Sequence, residues 1–122
     1  GKDSEGVTAS SPGLPLDVMP GGKSFRDKFT AKYGPIQTYA PYAYDATYAL
    51  IEAMKLADSV EPSKYMAAIP KVRFTGVTGE IGFDDKGDVL GGAITLYRVE
   101  GGKWEVVETV MSGGGAAVQK KK

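Results

Sequence analysis

Pro70 divides this chain of 122 residues into two stretches with different periodicity. Before it, apolar residues recur at helical spacing; after it, glycine-punctuated runs of β-forming residues take over. One early strand, Glu5 to Ser10, stands apart from the later β residues and has no sequence neighbour to pair with. A lone hairpin is marginal in water, so this strand and the late hairpin must find partners. The pattern is that of a piece of a larger α/β protein.

The helical half is punctuated by its prolines and glycines. Ser11-Pro12-Gly13-Leu14-Pro15-Leu16 breaks regular structure. The spacing then predicts a helix over 21–33, with Phe25, Phe29 and Tyr33 on one face, ended by Gly34-Pro35. A second helix is predicted over 43–58 from Ala43, Ala46, Leu50, Ala53, Met54 and Ala57, with Asp45 in its first turn where the helix dipole favours a negative charge. A third is predicted over 62–69, between Pro62 and Pro70. Beyond Pro70, Phe74 to Phe83 is β-rich, Asp84-Asp85-Lys86-Gly87-Asp88 reads as a turn, and 93–99 and 103–110 read as a hairpin joined by Glu100-Gly101-Gly102. Ser112-Gly113-Gly114-Gly115 opens a tail, expected to be flexible, that ends in three lysines.

Composition removes several function classes. Lys plus Arg is 15 and Asp plus Glu is 15, so the formal net charge is zero. That is a poor basis for displacing counterions from nucleic acid or for adhering to an anionic membrane. His and Cys are both absent, which excludes a Cys/His zinc site, a Ser-His-Asp triad, a catalytic cysteine and a disulfide. Zero Cys is compatible with an oxidising compartment without requiring one. No run of about 18 apolar residues occurs to span a bilayer. The chain begins Gly1-Lys2-Asp3 without Met, and the simplest expectation is that a natural start has been removed.

Three motifs invite a chemical reading. Gly21-Gly22-Lys23-Ser24 has the end of a phosphate-binding loop, but the position that needs the earlier glycine is Asp17, which would repel phosphate. The carboxylates of Asp84, Asp85 and Asp88 lack the alternation and distal Glu of a calcium loop, and no nucleophile accompanies them, so a solvated turn is expected. No cofactor is called for. The third feature is the tyrosine cluster. Tyr44 and Tyr48 form a helical pair; Tyr39 and Tyr42 precede the regular helix beside Pro41. Rings on a loop entering a helix either line a ligand cleft or cover the edge of a core.

Taken in order, Tyr42-Ala43-Tyr44-Asp45-Ala46, the Ala-Leu-Ile-Glu-Ala-Met helix, Phe74-Thr75-Gly76-Val77-Thr78-Gly79 and Phe83-Asp84-Asp85-Lys86-Gly87-Asp88 resemble the C-terminal third of type I periplasmic binding proteins. The similarity is greatest to the branched-chain amino acid (Leu/Ile/Val) branch serving ABC transporters, and it covers roughly residues 4–110. It implies an α/β fragment of a two-lobed protein: one strand, three helices, then a β-hairpin. Residues 1–110 would form the segment of the lobes and their crossover strands, and 111–122 the tail. It implies a non-enzymatic protein that captures a free amino acid or similar small polar solute between its lobes and delivers it to a membrane ABC permease. The setting implied is periplasmic, secreted or lipid-anchored at the cell surface. The family's loop before the Tyr-Asp-Ala helix offers a ring to the ligand; here the candidates are Tyr39 and Tyr42, with Tyr42 favoured and Asp45 structural. The remainder of the full-length chain would be a partner, and the isolated piece would self-associate through unpaired strand edges. The alternative reading is a self-contained, non-enzymatic interaction module presenting the tyrosine-rich loop and the hairpin edge.

Overall fold

The computed structural model describes residues 2–111. The tail expected from Ser112 lies outside the described residues. The chain forms two compact units: one is Leu16–Leu90, the other the flanking segments up to Pro15 and from Gly91.

The flanking segments build a three-stranded antiparallel sheet. Strand β1 (Thr8–Pro12) lies at one edge, β4 (Ala93–Glu100) in the centre and β5 (Lys103–Met111) at the other edge. The early strand thus pairs with the first arm of the late hairpin, from Thr8 opposite Arg98 to Pro12 opposite Ile94. It begins later than the sequence suggests, although Gly6 and Val7 already exchange backbone hydrogen bonds with Val99 at 2.9 Å each. It also runs through Pro12 instead of stopping before it. An edge strand tolerates a residue with no N–H to donate.

The hairpin turns at Gly101-Gly102, with φ of 60° and 76°. Two consecutive left-handed residues match the twist of the strands, which is why a Gly-Gly pair sits there. The Glu5 carboxylate accepts hydrogen bonds from both turn amides, at 2.9 and 3.2 Å. Leu96 pairs with Glu108 and Tyr97 with Val106, leaving Val107 as the extra residue of a bulge. Thr95 and Thr109 are buried and their hydroxyls lie 3.0 Å apart. Thr95 donates its proton to the Gly13 carbonyl at 2.7 Å, so Thr109 is the donor between the two.

Leu16–Leu90 carries the helices. Helix α1 (Gly22–Tyr33) matches its expected span. Helix α2 (Ala40–Ala57) starts three residues before the periodic stretch, because Pro41 in its first turn needs no hydrogen-bond acceptor for its nitrogen. Tyr42 is therefore helical and not on an entering loop, and Asp45 lies beyond the first turn. The single helix expected over 62–69 is a short α3 (Pro62–Tyr65) continued by a 3₁₀ segment, Met66–Lys71, that holds Pro70 inside it. The tighter winding closes on Val72, whose N–H reaches the Ile69 carbonyl at 3.0 Å. The β-rich stretch that follows is a second small sheet, β2 (Arg73–Thr75) antiparallel to β3 (Glu80–Gly82).

The core of this unit is small. Ala49, Ala53, Ala68 and Val72 form its buried centre, with Ile69, Phe74, Ile81 and Phe83 packed around them. Val72 is the largest fully buried apolar side chain among the described residues.

Candidate functional site

Two of the stretches that carry the family resemblance, residues 42–46 and 74–79, meet at Asp45. Its carboxylate is 3% exposed, and it reaches across to the turn joining β2 and β3. One oxygen accepts the Val77 N–H at 2.9 Å; the other accepts the Thr78 N–H at 2.8 Å and the Thr78 hydroxyl at 2.6 Å. Three donors on one carboxylate satisfy a buried charge. The expected helix-dipole role of Asp45 is thus replaced by a clamp between α2 and the Gly76–Gly79 turn.

The same turn is held from its other side. Val77 accepts a hydrogen bond from the Gly21 N–H at 3.0 Å, at the start of α1. A side chain at Gly76 would put its Cβ 2.6 Å from the Asp45 carboxylate, and one at Gly22 would put it 1.9 Å from the Leu16 carbonyl oxygen. The Gly-Gly pair therefore serves close packing and not phosphate. Lys23 pairs with Asp27 at 3.0 Å, and Asp17 pairs with Arg26. The Asp84 carboxylate accepts the amides of Lys86 and Asp88 at 2.9 Å each, within its own turn.

Beside this clamp, α1 and α2 enclose an open groove of about 750 Å³. Five of the rings that line it form a continuous row. Tyr33 lies 5.1 Å from Phe29, Phe29 5.5 Å from Phe25, Phe25 5.3 Å from Tyr44 and Tyr44 4.8 Å from Tyr48, centroid to centroid. The Phe25–Tyr44 contact is edge to face, the favoured geometry for a ring pair. The Lys32 ammonium lies 5.1 Å from the centre of the Tyr33 ring. The three rings of α1 and the Tyr44–Tyr48 pair are legible separately in the sequence; their joining into one row depends on how α1 packs beside α2.

A hydrogen bond with Tyr48 raises the Tyr44 phenol above its ordinary value of 10.0, and burial adds to the effect. The neutral phenol is the form the folded chain favours. Its contribution to stability is therefore complete below the ordinary value and is lost as pH rises through the raised one. Tyr44→Phe is expected to remove a late step from the 295 nm titration, above pH about 10. A difference spectrum with its step below that pH would contradict the Tyr44–Tyr48 hydrogen bond.

Tyr39 and Tyr42 stand at the start of α2. Tyr39 is the residue before the helix and is 71% exposed; Tyr42 is half-buried in the first turn. Neither lines the groove, so the aromatic row and the expected ligand rings are separate features.

Residues 1–103 match the family described as periplasmic binding protein. A leucine-, isoleucine-, valine-, threonine- and alanine-binding protein of Pseudomonas aeruginosa is 32% identical over 99 residues, covering 80% of this chain and 26% of that protein. A leucine-binding protein from Thermotoga maritima has a similar fold, with a TM-score of 0.75 at 25% identity over 90% of this chain and 32% of the other. An ABC transporter substrate-binding protein from Desulfitobacterium hafniense, solved in complex with Leu, gives 0.71 at 28% identity over 86% and 32%. This chain spans about a quarter of the curated relative's length and about a third of the solved ones.

Proposed function

This chain belongs to the periplasmic binding protein family, and from that membership we propose that it is part of the substrate-binding component of an ABC transporter. The ligand proposed is a branched-chain or related amino acid, held between two lobes and passed without catalysis to a membrane permease. The setting is periplasmic or at the cell surface. The observation that carries this reading is the match to leucine-binding relatives across nearly all of the described residues. The clamp at Asp45 supports it, because it fixes the start of α2, where the proposed ligand rings stand, against the β2–β3 turn.

Tyr39 and Tyr42 are the proposed ligand contacts on this chain's share of the site. The exposure of Tyr39 supports a ligand contact there; Tyr42 is half-buried in the first turn of α2. A chain with one wall of a cleft binds weakly, since closure depends on contacts from both lobes.

The test places this chain in the Desulfitobacterium hafniense protein, in exchange for the stretch it matches, and titrates leucine by calorimetry. The chimera is expected to bind leucine, and Tyr39→Ala to weaken it by about tenfold, which is ~1.4 kcal/mol. The isolated chain is expected to show no binding at millimolar leucine. A folded chimera that ignores leucine, or an isolated chain that binds it tightly, overturns the reading.

A further inference from the structure

The groove between α1 and α2 is built from residues that the proposed ligand contacts do not use. Helix α1 turns two parallel rows towards it. Phe25, Phe29 and Tyr33 stand at i, i+4 and i+8, with successive ring centroids 5.5 and 5.1 Å apart. Beside them stand Lys28 and Lys32, also one turn apart. Tyr33 and both lysines are exposed, while Phe25 and Phe29 are half-buried and form the floor. Helix α2 supplies the opposite bank, where Ala43, Tyr44 and Thr47 bring no charge. The one carboxylate lining the groove, that of Asp45, is buried and saturated by Val77 and Thr78.

The accessible charge of the groove is therefore of one sign. Lys23, Arg26, Lys55 and Lys64 each pair with a carboxylate. Lys28 and Lys32 have no such partner among the described residues, and the Lys32 ammonium rests beside the Tyr33 ring instead. The complement of an apolar floor edged by two unneutralised cations is an apolar surface edged by carboxylates. The spacing adds a shape to that chemistry. Both rows on α1 repeat once per helical turn, about 5.4 Å, and a ridge of that pitch packs into the grooves of another helix.

We propose that the α1–α2 groove is a docking site for an amphipathic helix of a separate protein, one whose apolar stripe is flanked by two Asp or Glu residues one turn apart. The stripe lies along Phe25, Phe29 and Tyr33, and the two carboxylates meet Lys28 and Lys32. The helices of a second copy do not offer this pattern. The one acidic residue of α1, Asp27, pairs with Lys23; on α2, Asp45 is buried and Glu52 pairs with Lys55. A bilayer surface does not enter a concave groove as a helix does. A face closed for good within one fold is made mainly of apolar contact, whereas cations kept at the rim steer the encounter with a partner that arrives from solution.

The probe is a fluorescein-labelled helical peptide of about 16 residues, with leucine at i, i+4, i+7 and i+11 and glutamate at two flanking positions one turn apart. Two twins carry glutamine or lysine in place of the glutamates. Anisotropy titrations are run on this chain and on the Desulfitobacterium hafniense chimera. The glutamate peptide is expected to bind both in the micromolar range, the glutamine twin about tenfold more weakly and the lysine twin more weakly still. Lys28→Glu combined with Lys32→Glu is expected to reverse that order. Tyr33→Ser is expected to weaken the glutamate peptide by about tenfold. All three positions are exposed, and circular dichroism melting checks that each variant is folded. Equal binding of the three peptides overturns the proposal, as does an unchanged order in the folded double variant or no binding at about millimolar chain. Binding to this chain that is lost in the folded chimera also overturns it, because the rest of the polypeptide then fills the groove. Displacement of the peptide by phosphatidylglycerol vesicles overturns it in favour of a membrane surface, and a peptide that splits a dimer of this chain does so in favour of a second copy. The leucine titration reads different residues, so either proposal can fail alone.

Discussion

Asp45→Ala is expected to lower stability by about 3 kcal/mol or more, since it strands two amide donors and a hydroxyl where water has little access. The backbone N–H groups of Val77 and Thr78 have no other acceptor among the described residues, and the carboxylate they lose is 3% exposed. Asp45→Asn keeps one acceptor oxygen but points an NH₂ group at the remaining donors, so an intermediate loss of about 1–2 kcal/mol is expected. Urea unfolding followed by circular dichroism gives the magnitude. Amide exchange at Val77 and Thr78 gives the location, with protection falling first at those two residues. A loss below about 0.5 kcal/mol for Asp45→Ala would mean that the turn is held by its own geometry and that the clamp is incidental.

The second large effect has the opposite sign from its usual one. Gly→Ala within a helix ordinarily stabilises by about 1 kcal/mol, because glycine loses more freedom on folding. At Gly22 the added Cβ would lie 1.9 Å from the Leu16 carbonyl oxygen and 3.1 Å from the Met19 Cβ. The obstacle is backbone, so the first turn of α1 must move away from the 3₁₀ segment Leu16–Val18. Gly22→Ala is expected to cost about 3 kcal/mol. Any gain in thermal stability on this substitution would show that α1 does not start against Leu16.

How much of this is written locally in the sequence differs from element to element. Helix α1 and the late hairpin are legible because their signals are short-range: three rings at helical spacing, and a Gly-Gly pair between two β-forming runs. The start of α2 is not, because Pro41 reads as a break, although proline is at home in a first turn. Pro70 reads as a stop, yet a 3₁₀ segment passes through it. The register of β1 on β4 has no local signal, since it depends on two strands at opposite ends of the described chain.

The candidate site follows the same division. Tyr39 and Tyr42 stand out as aromatic residues near a helix start. The clamp does not, because the donors to Asp45 lie in a turn more than thirty residues away. The only local hint is a carboxylate in the otherwise uncharged first half of α2, facing a Gly-Val-Thr-Gly turn whose first glycine leaves room for it. Of the apolar stripe predicted on α2, Ala53 is buried and Ala57 packs against the core, while Ala43, Ala46 and Leu50 are exposed. Periodicity identifies a face that needs burial and is silent on which segment buries it.

The pairing of β1 with β4 also sets an order of events during synthesis. Pro12 leaves the ribosome long before Ile94, its partner in the sheet. At ordinary translation rates the early strand waits on the order of ten seconds for a mate. Leu16–Leu90 can acquire its helices in that interval, because its contacts are made within itself. The sheet closes last, against the loop entropy of the whole intervening chain. Until then β1 is unpaired on both sides, and its β4-facing side is available to β4 of a neighbouring chain as well as to its own.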